Sequence, residues 1–216
     1  MKHTVQEITD QYGPAYFGRM GASISHDIKN CLAIMNENVG LMSDHLMIAQ
    51  KNGAPPNIER FSGIVQRIEK QISRADGIIK YLNTLSHSMD KPEQQIDLDE
   101  AVTLALALGA RIISNKGIKE NHTRAADKLY VNGSFFFLLF LIWSILENVT
   151  ENLASGAVIN IFSMKDEKSQ VCLNFQCEQP FAPDFGRQVC CQALNLFQAK
   201  IVLDDQHTRV GLVFGK

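Results

Sequence analysis

The five cysteines, Cys31, Cys172, Cys177, Cys190 and Cys191, include no C-x-x-C pair, and their odd number and scatter through apolar runs give no disulfide framework. A reducing compartment and no structural metal site are the expectation. Positive charge is not in excess either: 21 Lys and Arg stand against 23 Asp and Glu, for a net charge of −2 and a pI near 6.3. That balance builds no basic surface, so neither nucleic acid nor an anionic membrane is an expected partner. The opening MKHTVQEITDQY has no apolar core of the kind a signal peptide carries, and FFFLLFLIWSIL (Phe135 to Leu146) is too short to span a bilayer comfortably. A buried helix in a cytoplasmic protein is the expectation. No GxxxxGK[ST] phosphate cradle occurs. What the chain does have is 45% hydrophobic and 20% charged residues over 216 positions, enough for one large domain or two small ones.

Apolar residues recur at intervals of three and four from Phe17 through Met20, Ile24, Ile28, Cys31, Met35, Val39 and Met42 to Leu46, one face of a long helix. QKNGAPPN (Gln50 to Asn57) ends it as a Gly-Pro turn. A second, heptad-like stripe follows: Ile58, Phe61, Val65, Ile68, Ile72, Ala75, Ile79 and Leu82. Two long helices and a short turn make an antiparallel hairpin, which buries too little alone, so two chains are expected to pair as a four-helix bundle. SMDKPEQQIDLDE (Ser88 to Glu100) reads as a linker. Beyond it come a helix over Asp97 to Ser114, short strands in NKGIKENHT and KLYVNG, and a buried helix over Phe135 to Leu153. A strand hairpin in AVINIFSMK and QVCLNFQC, a helix over Gly186 to Gln198, and a closing strand pair in KIVLDD and RVGLVFG complete the pattern. The fold class is α+β: a helical hairpin over 1–90, then an α/β sandwich over 91–216.

Within the first helix, MGASISHDIKNCL (Met20 to Leu32) places a histidine among polar neighbours. With Ile24 at zero and about 100° per residue, Ile28 lies near 40° and His26 near 200°, Lys29 near 140°, Asn30 near 240° and Asp27 near 300°. His26 therefore faces solvent with Lys29 and Asn30, and Asp27 sits at the boundary. A polar helix face bearing an incidental histidine has the same pattern. An exposed neutral imidazole is also a nucleophile open to an in-line phosphoryl donor, and a neighbouring carboxylate orients it. His3, His45, His87, His122 and His207 have no comparable neighbourhood and read as surface or packing residues.

SHDIKNCL resembles the H-box of sensor histidine kinases, S-H-[ED]-[IL]-[KR]-[NT]-P-L. Ser25, His26, Asp27, Ile28, Lys29, Asn30 and Leu32 match, and Cys31 replaces the proline. The family's phosphoacceptor domain is a helical hairpin paired into a four-helix bundle, which agrees with the periodicity. WSILENV is similar to the family's N-box, W-N-L-L-E-N-A, with Asn148 at the Mg²⁺-contacting asparagine and Ser144 where an earlier asparagine would stand. The kinase D-x-G-x-G after the next strand is here CEQPF: Cys177 replaces the aspartate, and Gln179 and Phe181 the glycines. Cysteine offers no charged acceptor for adenine, and phenylalanine crowds the approach of backbone to nucleotide. The glycine-rich segment and ATP lid are missing too, with only PFAPDFGR leading to the next helix.

The resemblance thus implies a degenerate, ATPase-like sandwich that binds no ATP, behind an intact phosphoacceptor hairpin. Degenerate-kinase histidine phosphotransferases combine these features, and carry phosphoryl groups between receiver domains that bring their own Mg²⁺. The implied role is relay through His26, with Asp27 orienting the ring or acting as base, Lys29 countering phosphate charge and Asn30 beside them. The implied partners are response-regulator receiver domains, a hybrid histidine kinase and a second copy of the chain. Asp27 and Asn30 also match the spacing of an acid and amide that position water on an aspartyl phosphate, so a response-regulator phosphatase is a rival. A non-catalytic pseudokinase that binds and blocks a kinase or receiver is a third alternative.

Overall fold

Two helices of unequal length open the chain. The computed structural model describes residues 2–91, 93–181 and 191–215. Helix α1 runs over Lys2–Asn52 and α2 over Ile58–Ser86, antiparallel and in contact along their length. Gly53 turns the chain at φ +62, a backbone shape that favours glycine, and the Asn57 side chain caps α2 by accepting from the Arg60 N–H at 3.0 Å. The periodicity places the start of α1 at Phe17, but the helix begins at Lys2 and takes Pro14 inside it.

The hairpin also packs differently from the stripe that its sequence shows. Met20, Ile24 and Cys31 of α1 are buried, as are Ile64 and Leu85 of α2, the last two outside the expected seam. Phe61, Ile68, Ala75 and Leu82 are half-buried, whereas Val65, Ile72 and Ile79 are exposed and Ile58 is 82% exposed. On α1, Leu32, Val39 and Leu46 are exposed at the same seven-residue spacing. These rows lie about 60–120° round from Cys31 and from Ile64 respectively, in the same rotational sense. Because the helices are antiparallel, equal rotations bring both rows to one side of the hairpin. A single chain leaves that apolar side bare.

After a 3₁₀ turn at His87–Met89, the segment expected as a linker forms β1 (Gln94–Asp97), antiparallel to β3 (Tyr130–Gly133). Between them lie α3 (Leu98–Asn115) and β2 (Lys119–Thr123). Asp97 caps α3, its carboxylate accepting from the N–H groups of Asp99 and Glu100. Helix α4 (Phe135–Asn152) is apolar all round, as a core helix must be; it is long and apolar enough to cross a membrane by composition, yet 67% of it is buried in protein. Gly109 lets α3 approach it, since a Cβ there would come within 2.2 Å of Trp143 Cζ3.

Strands β4 (Val158–Lys165) and β5 (Val171–Gln176) form the expected hairpin, and β6 (Lys200–Leu203) pairs with β7 (Arg209–Val213). The five-stranded sheet has the order β2-β4-β5-β7-β6, with β2 parallel to β4 and the other pairs antiparallel. Its inner residues, among them Ile161, Phe175 and Leu212, join α3 and α4 in one core. Of the helix expected over Gly186 to Gln198, α5 is Cys191–Leu196. Residues 182–190, including Cys190 and most of PFAPDFGR, lie outside the described residues. The class is α+β, as expected.

Candidate functional site

His26 lies midway along α1, two residues past Ile24, the last α1 residue fully within the core shared with the sandwich. Tyr16, Met20 and Ile24 belong to the same buried cluster as Phe136, Phe140 and Leu85. Tyr16 meets Phe136 and Phe140 edge-on, with ring centroids 5.7 and 5.5 Å apart, and Tyr12 stacks on Phe140 at 5.8 Å. One helical turn past Tyr16, Arg19 pairs with Glu147 of α4. Hairpin and sandwich are therefore joined by an aromatic contact and an ion pair immediately before the histidine. The sequence expectation missed Tyr12, Tyr16, Arg19 and Glu147. Tyr12 and Tyr16 continue the interval of four that leads to Met20 and Ile24, and that interval was the available signal.

From this anchored end the helix carries His26 outward. Its side chain is 55% exposed, about 140° round from Cys31 and opposite in sense to the bare apolar rows. Asp27 is 21% exposed, with Oδ1 4.0 Å from His26 Nδ1: within ionic contact, beyond hydrogen-bond length. That places Nδ1 on the Asp27 side and Nε2 towards solvent. Lys29 and Asn30 are exposed on the flanks, and neither side chain has a partner among the described residues. Cys31 is fully buried, and the helix passes through it without a break. The arrangement offers an open imidazole nucleophile, one adjacent carboxylate, one free cation and one free amide.

In the sandwich, two of the positions that depart from the kinase pattern, Cys177 and Phe181, are buried, and the third, Gln179, is exposed. Cys177 is buried, its Sγ–H donating to the Gln179 carbonyl at 2.7 Å; burial, foremost, and the Asp204 charge push the thiol up, against that hydrogen bond. The Gln179 side chain accepts from the Ala154 N–H at 3.1 Å, just past the end of α4. Phe181 is buried in the core and its N–H donates to the His207 carbonyl at 2.6 Å. Asn148 is buried on α4, and the Ser144 hydroxyl bonds back to the Phe140 carbonyl at 2.8 Å. Elsewhere His122, expected to be a surface or packing residue, is held with Ser163 on the Asp99 carboxylate, at 3.3 and 2.8 Å from Oδ1. Asp99 Oδ2 accepts from the Ala125 N–H. This triangle joins α3, β2 and β4, and has the carboxylate, not the imidazole, in the middle.

No protein-family model matches the sequence, and neither does any curated protein. Several solved structures are similar. The Acinetobacter baumannii histidine kinase AdeS is 12% identical, at a TM-score of 0.47 over 88% of this chain and 98% of that one. The cytoplasmic segment of histidine kinase QseC is 16% identical, at 0.46 over 67% of this chain and 94% of that one. Histidine kinase ThkA, in complex with the response regulator protein TrrA, is 15% identical, at 0.45 over 99% of this chain and 66% of that one.

Proposed function

We propose that this chain is a histidine phosphotransferase of a two-component phosphorelay. The single observation that carries this is an exposed imidazole within SHDIKNCL, halfway along an unbroken helix and beside a carboxylate. The lone pair of His26 Nε2 attacks the phosphorus of a receiver's aspartyl phosphate. The N–P bond forms as the acyl P–O bond breaks, and the receiver's aspartate leaves as a free carboxylate. Asp27 faces Nδ1 and stabilises the positive charge that the ring acquires. Transfer to a second receiver reverses these bond changes on another carboxylate. Lys29 counters the charge of the phosphoryl group in transit, and Asn30 hydrogen-bonds its oxygens. Proximity supplies most of the acceleration, because the acyl phosphate is already activated and the receiver holds its own Mg²⁺.

The sandwich, with Cys177 and Phe181 turned inward and Gln179 tied to the Ala154 N–H, serves as a scaffold that anchors α1 and takes no ATP. A second copy covers the bare side of the hairpin, forming a four-helix bundle with His26 on the outside. Both proposals suit a cytoplasmic homodimer that reads receivers. Incubation with ³²P-labelled receiver tests the relay: label passes to the wild-type chain and on to a second receiver, and none passes to His26→Gln. Free phosphate without a labelled chain would instead identify a phosphatase built on Asp27 and Asn30. Undiminished inhibition of a kinase by His26→Gln would identify a pseudokinase.

A further inference from the structure

The five-stranded sheet buries one face and, among the described residues, has no helix over the other. Strand register shows what the uncovered face carries. One row across the strands runs Phe162, Asn174, Gly211, Val202, and the next holds Met164, Cys172, Val213 and Lys200. Met164 and Val202 are exposed, while Phe162 and Val213 are half-buried. This apolar strip crosses four strands, about 15 Å at the usual strand spacing, the length of about three turns of helix.

The strands bring cations to this face: Lys119, Lys200 and Arg209 point outward, and no strand carboxylate accompanies them. Acids stand in the flanking turns: Asp166 accepts from the N–H groups of Lys168 and Gln170, and Asp204, beside the Arg209 charge, accepts from Arg209 N–H and the Thr208 hydroxyl. In the middle lies Asn174, buried although its face is uncovered, with an Nδ2 donor that has no acceptor. Gly211 opposite makes room for that amide, since a Cβ there would come within 3.2 Å of Asn174 Oδ1. A buried amide donor without an acceptor costs stability until one is supplied.

We propose that this face docks a partner protein through an acidic amphipathic helix, which lies across the strip as a third layer. Its apolar side covers Phe162, Met164, Val202 and Val213, its carboxylates meet Lys200 and Arg209 at the margins of the strip, and an acceptor beside Asn174 satisfies its Nδ2 donor. The surface is separate from His26 and stands whether or not that residue is phosphorylated. Phe162 is the one aromatic side chain projecting from these strands, too few for the stacking that single-stranded nucleic acid requires.

The test uses the full chain with methyl-labelled Met and Val and a synthetic helical peptide of Leu and Glu heptads. Saturable binding is expected, with shifts confined to Met164, Val202 and Val213, and at least tenfold weaker affinity in Lys200→Glu/Arg209→Glu. Should that variant fail to fold, the shift map of the wild-type chain decides alone. Equal binding of a Leu and Lys peptide, or shifts on Val39 and Val65, would overturn the proposal. So would binding of phosphatidylglycerol vesicles or single-stranded DNA in place of the peptide. A halved mass in Val202→Asp would assign the face to a second copy and overturn it equally.

Discussion

Tyr16 shows how a single atom can work against a good contact. Its ring meets two phenylalanines edge-on, yet its hydroxyl is buried with no hydrogen-bond partner among the described residues, and burial drives its pKa upward. Tyr16→Phe keeps the ring contacts and removes the orphan, so stability is expected to rise by about 1 kcal/mol, read as a higher urea midpoint at an unchanged slope. A residue five positions past the histidine makes a different point. Cys31 stands where the resembled pattern has a proline, and a proline would have removed a backbone hydrogen bond and bent the helix. With cysteine fully buried there, α1 stays continuous past the His26 face and the anchored end holds the exposed imidazole.

At the scale of elements, α3 depends on its first residue. Burial works to raise the Asp97 carboxyl, but the Lys128 ammonium and the N–H groups of Glu100 and Asp99 outweigh it and hold its pKa below the ordinary value. A lowered folded pKa stabilises the protein above the unfolded value near 4, and the contribution is lost as pH falls through the folded one. Asp97→Asn keeps a capping oxygen and loses the charge, so its stability is expected to fall less steeply below about pH 4, measured by thermal melts across that range. The hairpin supplies the second prediction at this scale. Val65→Asp/Ile72→Asp places charges in the exposed heptad row without touching Ile64 or Leu85. Helix content should stay and the mass by light scattering should halve if two copies meet there. An unchanged mass would remove the four-helix bundle. The sequence made both helices legible through their spacing, but not which side of each faced its partner helix. A stripe that serves two neighbours at once has the same period as one that serves a single neighbour, and only packing separates Ile64 from Val65.

For the whole molecule, legibility followed the strength of local signals. The strand hairpins and α4 were readable because alternation, turn residues and an unbroken apolar run each specify one answer. β1 was not: Gln94–Asp97 is polar and owes its extended form to Tyr130–Gly133, which lies more than thirty residues away. His26, Asp27, Lys29 and Asn30 could be placed on one flank from helical phase alone. The Arg19–Glu147 pair could not, because it joins residues 128 positions apart.

The shared core of Tyr16, Met20, Ile24 and Leu85 with Phe136 and Phe140 bears on how the chain can be divided. A fragment ending at residue 90 would carry the whole His26 face and yet turn four greasy side chains out into water at one end. Such a piece is expected to clump or melt early by circular dichroism, while the intact protein denatures in one step. The second half cannot be deleted without that cost, because the sandwich is the plug that keeps the stem of the hairpin dry.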